Sequence, residues 1–282
     1  AQYVGTMNRY IGNDGVYASI IFIHNGFYAE SFECAGKVYN NTISPKYKIS
    51  MGLMAQGSLY FALLSPFTFV DVKFQYNRAY SGIVTFYGSD MDFYNCKVTE
   101  NKVFGMSIFG TLVMVSQLTI VNSEISNNLL IIDSTIPFSS KAVMDLHNVQ
   151  LQMTNLTFEN NVIEGQGFLL FCNTVKAVFQ NVSILNTHQI QEDQSSLCVF
   201  ILSQVNMSSL TCTNITSLFT LTQTLLRLDN VIQELQSQNN IQFLVSMYNS
   251  SLIARNFNYN SSGDFVPGSQ FPLIDGSHAT IS

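Results

Sequence analysis

The segment MDFYNCKVTEN (residues 91–101) contains the pattern that decides the fold. Met91 and Phe93 alternate with Asp92 and a tyrosine, Asn95 follows, and Val98 comes three residues later. The same order of apolar residues and asparagine returns in LTIVNSEISNN (118–128) and LQMTNLTFENN (151–161). A series of matches in phase indicates a repeat architecture.

The repeat reads apolar, any, apolar, any, Asn, any, any, apolar. Its asparagine place falls at Asp71, Asn95, Asn122, Asn155, Asn181, Ser209, Asn230 and Asn256, and a further upstream match centres on Asn25. From residue 71 onward these positions are 21 to 33 residues apart, a period typical of solenoids. Short alternating runs of strand-forming residues fill each period. They predict an all-β, single-stranded parallel β-helix of about ten coils. Residues 219–236 could form a helix, but their threonines and their fit to the repeat favour strand.

The asparagines indicate sharp bends between strands. Asn tolerates the left-handed backbone conformation better than most residues with a Cβ, and stacked Asn side chains can hydrogen-bond along a column. The apolar residues two and four places earlier have the same parity as the asparagine, which predicts an inward-facing asparagine ladder. The alternative is that asparagine only marks solvated loops.

A resemblance supports the repeat. The motifs FQYN (74–77), VTEN (98–101), ISNN (125–128) and FENN (158–161) resemble the Phe-x-x-Asn repeats of polymorphic outer-membrane autotransporters. They are also similar to pectin-lyase-like right-handed parallel β-helix repeats in surface proteins of single-celled eukaryotes. The resemblance covers about residues 20–260 and implies a β-helix exposed at a cell surface.

Composition excludes two classes of protein. The net charge is −6 with 12 Lys and Arg, so we expect no basic patch and no nucleic-acid binding. The most apolar stretch, residues 59–70, contains Ser65 and Pro66 and is shorter than the ~18–20 residues of a spanning helix. We therefore expect no membrane span.

The charged residues do not predict an active site. Glycan-cleaving β-helix enzymes need carboxylates that converge on one face, and the acidic residues fall at different places in the repeat. Among the basic residues, Arg227 and Arg255 are placed in one column. We expect no enzyme, no catalytic residues and no cofactor. The histidines lack metal-ligand spacing, so no metal site is expected, and His147 and His188 are assigned to exposed turns.

The five cysteines leave an alternative open. Cys172 and Cys198 are about one coil apart, so they could form a disulfide between neighbouring coils. They could instead be two buried thiols that fill core space.

Seven asparagines occupy N-glycosylation sequons. Glycans are expected at Asn40, Asn206, Asn214, Asn249 and Asn260, because a surface with little charge needs another solubilising group. Asn155 and Asn181 are expected to be poorer acceptors, because they belong to the ladder that is predicted to face inward.

The domain organisation follows from the repeat. Residues 1–20 are predicted to be an N-terminal extension able to add a strand to a neighbour, and residues 21–282 form the β-helix domain. An outward loop is expected within residues 129–143, around Pro137.

These features favour an extracellular structural protein: a glycosylated, self-assembling filament subunit, or a surface-coat or adhesin subunit. Its partners would be N-linked glycans and further copies of itself, joined end to end through open strand edges. The alternative is a carbohydrate-active β-helix enzyme or a glycan-binding module.

Overall fold

The computed structural model describes thirteen stretches of the chain, and all of their regular structure is β-strand. The described residues are 4–15, 21–24, 31–43, 58–79, 82–104, 107–112, 116–132, 142–190, 196–215, 217–235, 245–261, 274–275 and 279–281.

The strands form three parallel sheets, which we name A, B and C. Sheet A contains β1 (Val4–Thr6), β2 (Arg9–Ile11), β5 (Ser31–Cys34), β6 (Lys37–Tyr39), β9 (Phe67–Val70), β10 (Lys73–Gln75), β13 (Met91–Tyr94), β14 (Lys97–Thr99), β17 (Ser116–Ser126), β20 (Val149–Glu159), β23 (Lys176–Leu185), β26 (Gln204–Thr213), β28 (Leu225–Leu235), β30 (Ser251–Ser261) and β32 (Ala279–Ile281). Sheet B contains β3 (Asp14–Gly15), β7 (Thr42–Ile43), β11 (Arg78–Ala79), β15 (Lys102–Phe104), β18 (Leu129–Ile131), β21 (Val162–Glu164) and β24 (His188–Ile190). Sheet C contains β4 (Ile21–His24), β8 (Ser58–Leu63), β12 (Gly82–Tyr87), β16 (Phe109–Leu112), β19 (Ala142–His147), β22 (Phe168–Asn173), β25 (Cys198–Ile201), β27 (Phe219–Thr222), β29 (Val245–Tyr248) and β31 (Ile274–Asp275).

The chain winds through the sheets in a fixed order. One coil runs through β19 in sheet C, β20 in sheet A and β21 in sheet B, and the next coil begins at β22. Each strand pairs in parallel with its equivalents one coil away: Leu151, for example, lies opposite Leu118 and Ala177. The described strands stack eleven levels deep along sheet A. This arrangement confirms the predicted parallel β-helix. Residues 219–235 form two strands, β27 and β28, with a bend at 223–224, and contain no helix.

The first coil begins earlier than the predicted domain boundary at residue 20. Strands β1, β2 and β3 pair in parallel with β5, β6 and β7. Residues 4–15 therefore lie within the stack of coils and do not form a separate extension. Much of the outward loop expected within residues 129–143 falls on residues 133–141, outside the described residues, between β18 and β19.

The core is a column of in-register apolar side chains. Alternate residues of each strand point inward, so equivalent residues of successive coils stack. The Phe69 and Phe93 rings are stacked, with centroids 4.8 Å apart and planes at 14°, and Phe109 meets Phe93 edge-on at 5.1 Å. All three side chains are fully buried, and burying each contributes roughly 2 kcal/mol to folding.

The eight predicted column positions occupy the bend inside sheet A. Each has a left-handed backbone, with φ between 50° and 58°. Their side chains can bond along the column: Asn155 Nδ2 donates to Asn122 Oδ1 at 2.8 Å, and Asn181 Nδ2 donates to Asn155 Oδ1 at 3.0 Å.

The inward orientation predicted for this column is wrong. Asp71, Asn95, Asn122, Asn155, Asn181, Ser209, Asn230 and Asn256 are all exposed. The parity argument holds only along an extended strand, and the left-handed residue interrupts the alternation. The residue that follows the bend is the buried one, as Val72 and Cys96 show.

A different column of asparagines forms the interior ladder, one bend further along each coil. Asn41, Asn77, Asn101, Asn128 and Asn161 are at most 1% exposed. The Oδ1 atom of each asparagine accepts hydrogen bonds from the backbone and side-chain amides of the ladder asparagine one coil earlier. For example, both Asn77 N and Asn77 Nδ2 donate to Asn101 Oδ1, at 3.0 and 2.9 Å. The last four are the final residues of the FQYN, VTEN, ISNN and FENN motifs. The ladder satisfies buried amides that would otherwise lack partners.

The disulfide alternative is wrong. Cys172 lies opposite Phe200, whereas Cys198 lies opposite Leu170, so the two cysteines are offset by two residues along neighbouring strands. Both are free and fully buried, and burial raises the pKa of each thiol. The other alternative, two buried thiols in the core, is the one observed.

Candidate functional site: a polar groove on sheet A

An open groove runs along the outer face of sheet A, before the bend. It crosses the strands from β17 to β30 and is lined mainly by amide, charged and small apolar side chains. The outward lining residues are Gln117, Gln150, Gln152, Lys176, Val178, Gln180, Gln204, Asn206, Ser208, Arg227, Asp229, Ile253 and Arg255.

Strand register builds the centre of this groove. Gln152, Val178, Asn206, Arg227 and Ile253 lie directly opposite one another on five successive strands. The core residues on either side of each place point inward, so alternation turns these five side chains outward. The Val178 side chain is 41% exposed. The column therefore offers amide and guanidinium groups beside exposed apolar surface.

Three of the four charged groups of the groove lie together at one end, on β28 and β30, and the fourth, Lys176, lies on β23. Asp229 lies opposite Arg255 on the next strand, and Arg227 lies opposite Ile253. The expectation that Arg227 and Arg255 share one column is therefore wrong, because Arg255 stands one position before the bend and Arg227 stands three before it. All three charged side chains are exposed. They can form charge-assisted hydrogen bonds with a ligand in the groove.

A second titratable pair lies on sheet C. Asp145 stands between the core residues Met144 and Leu146, so its side chain points away from the core. It is nevertheless only 4% exposed. His147 Nε2 lies 3.1 Å from Asp145 Oδ1, and this contact raises the pKa of His147.

The two histidines assigned to exposed turns lie in strands. His147 belongs to β19 and is partly buried, with its ring centroid 5.7 Å from that of Phe171. His188 is exposed in β24. The described residues contain no group of three His, Cys, Asp or Glu side chains able to hold a metal ion. Nowhere in the described part of the chain is there a helix able to cross a bilayer.

The sequons lie on several faces of the β-helix. Asn40, Asn155, Asn181, Asn206 and Asn249 are exposed, and Asn214 is half-buried. Asn260 lies in β30, and its side chain is outside the described residues. The reason for ranking Asn155 and Asn181 as poorer acceptors disappears, because their column faces solvent. Glycosylation itself stays a prediction.

Sheet A carries a basic column that was not predicted from the sequence. Arg9, Lys37, Lys73 and Lys97 lie directly opposite one another on four successive strands of sheet A. The expectation of no basic patch is wrong for this face. The sequence contains one signal for this column, because Lys73 and Lys97 each stand two residues after the bend residue of their coil.

Several solved structures share the overall fold at low similarity. The catalytic unit of a thermostable α-1,3-glucanase from Streptomyces thermodiastaticus is 10% identical, with a TM-score of 0.41, and the match covers 98% of this chain and 63% of the glucanase unit. An alginate lyase from Paenibacillus sp. is 9% identical (TM-score 0.37; 97% and 99% covered), and the Streptococcus pneumoniae surface protein and adhesin PfbA is 8% identical (TM-score 0.42; 100% and 91% covered). No curated protein sequence matches the chain.

These similar structures correct one expectation from the residues. Two of the three are enzymes, so the prediction that the chain is not an enzyme is wrong as stated. At this identity the likeness shows the fold alone.

The sequence itself carries a family signature. The family model described as "Right handed beta helix region" matches residues 17–174, which is more than half of the 282 residues. The parallel register seen within the matched region continues through β23, β26, β28 and β30 beyond it. The chain therefore belongs to the right-handed beta helix family.

Proposed function

We propose that the chain is the binding region of an extracellular surface protein, and that it holds a carbohydrate chain along the groove of sheet A. The observation that carries this proposal is the lining of amides, arginines and one carboxylate, arranged in register over successive coils.

The chemistry of the lining suits a sugar polymer. Each hydroxyl group of a sugar needs a donor and an acceptor, and Gln and Asn amides offer both. The exposed Val178 and the partly exposed Ile253 give apolar surface for the C–H faces of sugar rings. From Gln117 to Arg255 the groove crosses six strands, or about 24 Å at ~4.8 Å per step, a length that suits an extended ligand.

Composition supports a location outside the cell. Only 11% of residues are charged, against roughly 25% in typical soluble domains, and glycans can solubilise such a surface.

End-to-end self-association is a second candidate function. Within the described residues, β1 and β32 are the outermost strands of sheet A and each pairs on one side. The outer side of a strand that pairs on one side can be extended by a strand of another copy. A filament built in this way would leave the groove accessible along its side.

The groove proposal predicts a loss of binding in the double variant Asn206→Ala/Arg227→Ala. Removing an amide and a guanidinium from adjacent positions should weaken binding about tenfold to a hundredfold. The measurement is affinity electrophoresis against a panel of purified neutral polysaccharides.

The matched control is Thr220→Ala/Ser246→Ala, two partly exposed polar residues that lie opposite each other on sheet C and belong to no sequon. It should bind as the parent does. The proposal fails if the parent binds no polysaccharide of the panel, or if the groove variant binds unchanged. It also requires Asn206 without a glycan in the binding form, which peptide mass spectrometry checks.

A further inference from the structure

A basic column crosses the first four coils on the part of sheet A beyond the bend. We name Arg9, Lys37, Lys73 and Lys97 the cationic ladder. Each is the register partner of the next, and all four are exposed. At ~4.8 Å per step, the ladder is about 14 Å long.

Local structure fixes the direction of these side chains. The residue after each lysine, Val38, Phe74 or Val98, is fully or almost fully buried. Alternation along the strand then turns the lysine outward. The ladder is thus a rigid feature of the sheet, in which only the ends of the side chains can move.

The fold does not need positive charge at these places. Like charges directly opposite each other on neighbouring strands destabilise a sheet. Further along the same column the chain has Thr157, Ser183 and Thr211, which are neutral. A column of repelling charges where neutral residues serve equally well indicates a role in binding.

The charge is partly neutralised at one end. Glu124 follows Lys97 in the column, and their side chains form an ion pair of 2.8 Å that lowers the pKa of Glu124. Among the described residues, no ion pair involves Arg9, Lys37 or Lys73. Three adjacent cations therefore remain available to a ligand.

The border of the ladder carries aromatic and further basic groups. Tyr39 and Tyr76 are 40% and 44% exposed, and their rings meet edge-on with centroids 5.2 Å apart. Glu100 accepts a hydrogen bond from Tyr76, which raises the pKa of the phenol. Beyond the next bend, Arg78 lies opposite Lys102 in sheet B.

We propose that the cationic ladder binds a linear anionic polysaccharide, one that carries carboxylate or sulfate groups at regular intervals along its chain. A polymer with about one anion per sugar ring presents evenly spaced charges to evenly spaced cations. The exposed tyrosine rings offer surface to the sugar faces beside those charges. This site is separate from the groove and does not depend on the groove proposal.

The surroundings favour a polysaccharide over nucleic acid. Nucleic-acid binding depends on neutralising many closely spaced phosphates, whereas the ladder supplies three available cations on a chain with net charge −6. A negative protein does not attract a dense polyanion from a distance. A less densely charged polymer fits the ladder better.

The test uses chondroitin sulfate as the sulfated probe and polygalacturonate as the carboxylated probe, with binding measured by calorimetry at low ionic strength. The variant Lys37→Gln/Lys73→Gln should bind both probes about tenfold more weakly than the parent. The control Lys176→Gln/Arg227→Gln removes the same charge from the groove and should change this binding less than about twofold.

Three further measurements make the outcome decisive: the unfolding temperature, the binding of neutral polysaccharide and the binding of single-stranded DNA. The ladder variant should unfold at the same temperature as the parent or a higher one, because like-charge repulsion is removed, so a folding defect cannot explain weaker binding. The ladder variant should still bind any neutral polysaccharide that binds to the groove of the parent protein. Unchanged affinity for both probes, equal losses in the two variants, or tighter lysine-dependent binding of single-stranded DNA would overturn the proposal.

Discussion

Replacement of Asn101 by alanine should lower the free energy of unfolding by about 4 kcal/mol, because it leaves several buried polar groups without partners. Asn101 is 1% exposed. Its Oδ1 accepts from the backbone and side-chain amides of Asn77, and its Nδ2 donates to Phe74 O at 2.9 Å and Asn128 Oδ1 at 3.0 Å. Alanine removes all four bonds from a site that water does not reach. Urea denaturation followed by circular dichroism measures the effect.

The matched control is Asn95→Gly, at the exposed bend of the same coil. Asn95 has φ 55°, a conformation that glycine adopts without steric cost. The free energy of unfolding should change by less than about 0.5 kcal/mol. If Asn95→Gly were the more damaging substitution, the assignment of the inner and outer columns would be reversed.

Replacement of Phe93 by alanine should cost about 4 kcal/mol, through lost apolar burial and a cavity. The Phe93 ring is stacked on Phe69 and meets Phe109 edge-on, so the vacated space lies between two coils. Phe93→Leu keeps much of the volume and should cost about 1.5 kcal/mol or less. The same denaturation series measures both, and a cost below 1 kcal/mol for Phe93→Ala would mean that this ring does not connect the coils.

Much of the fold could be predicted because the repeat has two independent parts. Alternation in segments such as residues 118–121 predicts strands, and residues that tolerate a left-handed backbone mark the bends. Together they located eight bends. Which of the asparagines near the bends have buried side chains could not be predicted in the same way. Asn122 and Asn128 look alike in sequence, yet the first lies outside and the second inside.

The first two coils could not be placed from the sequence for a local reason. The bend residues there are Met7 and Ala35, with φ of 53° and 51°, and neither residue type marks a left-handed bend. Asn25 was used as a marker instead, but the residues before it, 21–24, form β4 in sheet C, and Asn25 lies outside the described residues. Without the correct frame, Arg9 and Lys37 could not be aligned with the later lysines.

The groove could not be predicted because its residues share no chemical type. Its central column contains Gln152, Val178, Asn206, Arg227 and Ile253, and only strand register brings them together. Register is determined by backbone pairing across coils of unequal length, which composition does not reveal. Both proposed sites therefore depend on the same structural property, the alignment of residues one coil apart.

Disulfide trapping across the coils tests that alignment most directly. Thr157 lies opposite Ser183, and Ser183 lies opposite Thr211 on the following strand. The pair Thr157→Cys/Ser183→Cys, ~4.8 Å apart between Cα atoms, should close readily under mild oxidation. The pair Thr157→Cys/Thr211→Cys, about twice as far apart, should stay reduced. Efficient closure of the second pair, or failure of the first in folded protein, would contradict the register on which the fold and both binding surfaces rest.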